Sequence, residues 1–121
     1  MSYVDGFVIP LPKKNVKAYK QMAKLGAKLW KKYGALEYFE CIGDNLRPKG
    51  ATFNFSRTVR AKQGETVVFS FIVYKSRAHR DRVNAKVMAD PVMNDPKYAP
   101  KSMPFNLKRM AWGGFKALVE A

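Results

Sequence analysis

Between Glu65 and Pro91 the chain reads ETVVFSFIVYKSRAHRDRVNAKVMADP, a pattern of period two that changes into a polar helical one. Val67, Phe69, Phe71 and Val73 alternate onto one face of a strand, and Val68, Ser70, Ile72 and Tyr74 onto the other. Both faces are largely apolar, as in a central strand covered on two sides. Ser76 then offers an N-cap hydroxyl, and Pro91 stops the helix after Asp90. On this helix Val83 and Val87 mark the buried stripe, while Arg80, Asn84 and Met88 form an i, i+4, i+8 line along its flank.

The same patterning predicts the remaining elements. Residues 2–9 read as a first strand, with Tyr3, Asp5, Phe7 and Ile9 on one face and Val4, Gly6 and Val8 on the other; Pro10 and Pro12 are expected to end it. A helix from the N-cap Asn15 to Tyr33, stopped by Gly34, places Val16, Tyr19, Met22, Ala23, Gly26, Leu29, Trp30 and Tyr33 on one arc. Its opposite side is almost pure lysine: Lys17, Lys20, Lys24, Lys28 and Lys31. Leu36 to Ile42 is a second strand, and a loop after Gly43 leads to a short strand around Thr52 to Val59. After the strand and helix already described, the Pro- and Met-rich segment 91–106 should be irregular, with one helical turn. Leu107 to Val119 reads as a final strand in which Gly113–Gly114 predicts a bulge or a close approach.

With the segments around 43–64 and 91–106 taken as insertions, the resulting order, β–α–β–(insert)–β–α–(insert)–β, predicts an α+β fold built on a split βαβ repeat. Strands one and three would be central in an antiparallel sheet, with both helices on one face. Val68, Ile72 and Tyr74 are expected on the uncovered face, and a homodimer closed through that face into a barrel would bury them.

Composition narrows the function classes. At 121 residues, with 47% hydrophobic and 13% aromatic positions, the chain is expected to form a single domain spanning 1–121. No apolar run is long enough for a bilayer, and the opening MSYVDGFVIPLP lacks the basic start of a signal peptide. The lone Cys41 and lone His79 exclude an internal disulfide and a His- or Cys-rich metal centre. A cytoplasmic protein without metal or cofactor is the expectation. Cys41 is expected to be a buried small hydrophobe, and His79 to lie at the surface. Lys plus Arg number 23 against 9 Asp plus Glu, and a net charge of +14 attracts polyanions whatever the protein does.

The segments YVDGFV, ECIGD around Cys41, GETVVFSFIVYKSRAHRDRVNAKVMADP and MPFNLKRMAWGGFKALV resemble the YbaA-like bacterial domain-of-unknown-function family over nearly the whole chain. The resemblance implies a ferredoxin-like fold of the dimeric α/β-barrel type. That superfamily is similar in fold to cofactor-free monooxygenases, haem-degrading enzymes and small stress-related proteins, but fold alone does not carry function. It supplies no catalytic residues. The lysine load departs from the family pattern.

Candidate ligand-binding residues are Asp5, Tyr38, Glu40, Ser70, Asn84, Arg109 and Trp112, lining a pocket between sheet and helices or at a barrel mouth. Asp5 sits among aromatics, where a carboxylate needs a partner: a structural ion pair with Arg109 or another base, or a role as general base or ligand anchor. Glu40 is either an inward charge protecting an edge strand or a pocket group. Arg109 could clamp an anion, with Trp112 beside it, or both could be rim and core. The expected function is small-molecule binding, with cofactor-free oxidation of an electron-rich organic substrate as the reaction that the resemblance allows. The alternative is an RNA- or DNA-binding module using the lysine face of the first helix, by contacts that neutralise phosphates without reading bases.

Overall fold

In a computed structural model describing residues 1–121, four strands form one antiparallel sheet. They are β1 (Tyr3–Pro12), β2 (Glu37–Ile42), β3 (Glu65–Tyr74) and β4 (Ala111–Lys116), arranged in the order β2-β3-β1-β4. Three α-helices accompany them: α1 (Val16–Lys32), α2 (Phe55–Thr58) and α3 (Arg77–Ala89). As the pattern predicts, β1 and β3 are central. No helix is long and apolar enough to cross a membrane.

Register decides which residues lie together. Tyr3 pairs with Tyr74, Asp5 with Ile72, Phe7 with Ser70 and Ile9 with Val68, so these eight share one face. Helices α1 and α3 cover that face. Ile9, Leu11, Val68, Tyr19, Ala23 and Phe105 make one core cluster, and Ile72, Tyr74, Leu29, Ala35, Val83 and Val87 another. The expectation that Val68, Ile72 and Tyr74 lie on the uncovered side is therefore corrected. Both faces of β3 are apolar, so hydrophobicity does not choose between them, and the helices dock on the even-numbered one. Val4, Val8, Phe39, Phe69, Phe71, Val73 and Phe115 face the other way. There α2 touches one corner, with Phe55 edge-on to Phe69 at 6.0 Å.

Several boundaries differ from the pattern. β1 runs through Pro10 and Pro12 rather than ending at Ile9. The backbone of Lys13 donates to Gly64, so odd positions of β1 bond to β3 and the prolines fall where no donor is needed. Pairing with β4 has already ended at Val8–Ala111, leaving that side of β1 open to them. Around Thr52 to Val59 the chain forms helix α2 instead of a strand, because the Asn54 side chain accepts from the Arg57 N–H and caps a helical turn.

The segment after α3 holds several short 3-10 turns rather than one. Pro91, Pro96 and Pro100 each open one, and Asp90 and Asp95 accept from the backbone N–H two residues on. Strand β4 is shorter than its hydrophobic pattern, since Leu107–Arg109 winds into a similar turn. Its paired glycines make no bulge. A Cβ on Gly114 would instead stand 2.1 Å from the Tyr3 hydroxyl, so a side chain of β1 takes that space. Cys41 is exposed at the edge strand rather than buried.

Candidate functional site

Between the two core clusters the helices stand away from the sheet and leave an open-mouthed cavity of about 430 Å³. Asp5, Phe7 and Ile9 of β1, Tyr38 and Glu40 of β2, and Ser70 and Ile72 of β3 form its floor. One wall comes from α1 with Tyr19, Ala23, Gly26 and Trp30, and another from α3 with Asn84 and Met88. The turn-rich segment closes the remaining side through Met93, Tyr98, Met103, Phe105 and Met110. Five of the six methionines, Met22, Met88, Met93, Met103 and Met110, thus line one space. Polarizable, flexible thioethers let such a wall fit ligands of differing shape.

Six of the seven residues singled out from the sequence meet here: Asp5, Tyr38, Glu40, Ser70, Asn84 and Trp112. Trp112 is 62% exposed and stands at the mouth, stacked on Phe7 with ring centroids 6.4 Å apart. Arg109 does not join them. Its guanidinium grips both oxygens of Glu65, at 2.7 and 2.9 Å, and the Arg60 carbonyl at 3.0 Å. That fork holds the start of β3 to the segment before β4 and lowers the Glu65 carboxyl below its ordinary range. With its donors so engaged, Arg109 is no anion clamp for this cavity, nor is it the partner of Asp5.

The base that meets Asp5 is Arg80, at 2.8 Å. Both ends of this pair are enclosed, with side-chain exposures of 3% and 13%. Burial pushes the Asp5 carboxyl up, and Arg80, helped by Asn84 and Tyr74, pulls it back down. Arg80 also lies over the Tyr3 ring and bonds Asp81 at 2.8 Å. The Asn84 carbonyl oxygen accepts from the Trp30 indole at 3.0 Å and from the Tyr74 hydroxyl at 3.2 Å. One polar network therefore ties β1, β3, α1 and α3 together at this end. The flank line Arg80, Asn84, Met88 is the side of α3 that supplies it.

At the other end stands Glu40. Its two oxygens accept from the Tyr19 hydroxyl at 2.6 Å and the Tyr38 hydroxyl at 2.8 Å. Burial first, then the Glu40 charge, holds both phenols well above their usual pKa, so they remain donors. Gly26 of α1 makes room for this arrangement, since a Cβ there would lie 2.7 Å from the Tyr38 hydroxyl. Sequence reasoning passed over Tyr19, Trp30 and the methionines as core or connecting residues. For Met93, Met103 and Met110 the signal was present in the Met-rich composition of residues 91–110.

Fold and site together define an α+β protein whose helices and sheet enclose a mainly apolar cavity with a polar group at each end. The chain belongs to the family described as "Protein of unknown function (DUF1428)", which matches residues 2–107. It is 43% identical over 120 residues to "Uncharacterized protein YbaA" of Escherichia coli strain K12, covering 99% of each chain. The protein of the same name from Shigella flexneri matches to the same extent.

Proposed function

We propose that this is a small-molecule-binding protein whose ligand occupies the cavity between the sheet and α1, α3 and the turn-rich segment. The observation that carries this is the convergence of Asp5, Glu40, Ser70 and Asn84 on one aromatic- and methionine-lined space of about 430 Å³. Binding sites for small molecules have this make-up, apolar walls with a few placed polar groups. The role proposed is binding rather than catalysis. Arg80 already engages Asp5, and Glu40, oriented by two tyrosine hydroxyls, keeps lone pairs for a guest; holding a ligand asks no more of these groups. Binding of a neutral solvatochromic dye, followed through its own emission and through Trp30 and Trp112 fluorescence, tests the cavity. A dye that binds equally well to wild type and to Ser70→Phe would place its site elsewhere.

The same proposal takes the fold as ferredoxin-like, pairing through its open sheet face into a dimeric α/β barrel in the cytoplasm. Strand residues on that face include Phe39, Phe69, Phe71 and Phe115, and Phe39 stacks on Phe71 at 5.0 Å. No strand residue facing that side, among Val4, Gly6, Val8, Glu37, Phe39, Cys41, Val67, Phe69, Phe71, Val73, Ala111, Gly113 and Phe115, is Lys or Arg. In a chain of net charge +14 it is the surface on which two copies meet without direct repulsion.

A second reading rests on α1. Lys17, Lys20, Lys24, Lys28 and Lys31 are all exposed on its outer side, a stripe able to contact phosphates. We take association with RNA or DNA to be non-specific. Titration of a labelled oligonucleotide against salt should then show affinity falling with a log–log slope of about −0.9 per phosphate neutralised. Tight, sequence-dependent binding at physiological salt that is lost in Lys20→Glu/Lys24→Glu/Lys28→Glu would instead put nucleic acid first.

A further inference from the structure

We propose that the Glu40 end of the cavity selects an organic cation, an ammonium group carried on a flat apolar body. This presupposes the binding role above and names the chemistry of the ligand.

Glu40 is placed unlike the other enclosed carboxylates. Asp5 has Arg80, Glu65 has Arg109, and Asp90 has Lys32 at 3.6 Å. Glu40 is half-buried on the cavity wall and has no Lys or Arg within ion-pair distance, in a chain that carries 23 of them. Lys20 and Lys24 line a separate groove on the outer side of Glu40, and neither reaches it. Its hydrogen-bond partners, Tyr19 and Tyr38, are neutral donors. They orient the carboxylate without cancelling its charge. Two oxygens offer about four lone-pair directions, so about two remain for a ligand. A partly desolvated charge without a counter-charge is costly to hold, and a bound cation offsets that cost.

The surroundings suit the same guest. Tyr19 and Tyr38 both donate to Glu40, and the Trp30 ring lies 6.2 Å from that of Tyr38 on the same cavity wall. Aromatic faces attract an ammonium group, more strongly where water is excluded. Beyond them the methionines and Phe7 accept an apolar body. An anionic head would meet the Glu40 charge directly. The overall charge of +14 works the other way, drawing anions from solution. A preference for the cation would therefore be a local property of this wall.

The test uses three probes with one aromatic body and different heads: naphthylethylamine, naphthylethanol and naphthylacetate, titrated calorimetrically into the full-length protein at neutral pH and physiological salt. The amine should bind about tenfold or more tighter than the alcohol, with the carboxylate weakest. Glu40→Gln should bring the amine down to the level of the alcohol, and Tyr19→Phe, which keeps the charge, should retain the ranking. The wild-type ranking decides the matter even if a variant does not fold. Equal affinities for amine and alcohol would overturn cation selection and leave the cavity as a binding site. Failure of all three to bind would overturn both.

Discussion

The Tyr38 hydroxyl lies 2.7 Å from the point where a Cβ on Gly26 would stand. Glycine inside a helix destabilises by about 0.5–1 kcal/mol relative to alanine, so Gly26 marks a place where packing outweighs propensity. Gly26→Ala should bring no gain in stability, because Tyr38 must turn away from Glu40. In a Tyr38→Phe background, where the hydroxyl is gone, the same substitution should stabilise by about 0.5–1 kcal/mol. Denaturant melts of the four proteins in this cycle check it, and an equal effect of Gly26→Ala in both backgrounds would contradict the packing described.

The Asp5–Arg80 pair should be the most sensitive ionic contact in the molecule. Arg80→Ala leaves the Asp5 carboxylate buried without its cation and should destabilise by about 3–5 kcal/mol. Arg109→Ala removes a fork from the more peripheral Glu65 and should be milder, about 1–3 kcal/mol. Reversal of that order in chemical denaturation would show that the two pairs have been weighed wrongly.

These contacts also show how far the sequence could be read. The apolar run from Val67 to Tyr74 and the arc Tyr19, Ala23, Leu29 identified the central strand and the first helix. With both faces of β3 apolar, the pattern did not say which one the helices cover. The need of Asp5 for a partner was legible from a carboxylate among aromatics. The choice of Arg80 over Arg109 was not, because it depends on where α3 crosses β1. Thr52 to Val59 shows the opposite failure: a single side-chain cap from Asn54 turned a strand-like run into a helix. Pro10 and Pro12 looked like strand ends because periodicity does not reveal which N–H groups face a neighbour.

Stability should fall in two steps on the acid side. His79 Nδ1 accepts from the Lys75 N–H at 3.0 Å, so it is unprotonated in the fold. Burial, then the charges of Lys75, Arg82 and Lys86, keeps its pKa below the ordinary 6.5. A depressed histidine contributes stability above pH 6.5 that is lost as pH falls through the folded value, since the unfolded chain takes the proton first. Glu65, held low by Arg109, adds a second loss below its ordinary 4.5. Asp5, raised by burial, contributes in the opposite sense as its carboxyl takes up a proton. Thermal melts from neutral to mildly acid pH should show a smaller loss in His79→Ala than in wild type. Parallel curves for the two proteins would remove His79 from this account.

Light scattering should give about twice the 13.8 kDa chain mass, in line with an apolar sheet face covered by a second copy. Phe71→Glu, placed in the middle of that face, should yield a folded monomer. A monomeric wild type at micromolar concentration would leave Phe39, Phe69 and Phe115 facing water and would contradict the barrel.

The central claim is that the space between sheet and helices holds a small molecule. Native mass spectrometry after incubation with a fractionated metabolite extract, comparing wild type with Ser70→Phe, tests it most directly. Wild type should carry one ligand for each 13.8 kDa chain, and the variant, with a phenyl ring projecting from the cavity floor, should carry none. A wild type that takes up nothing, or the same adduct on both proteins, would contradict the account.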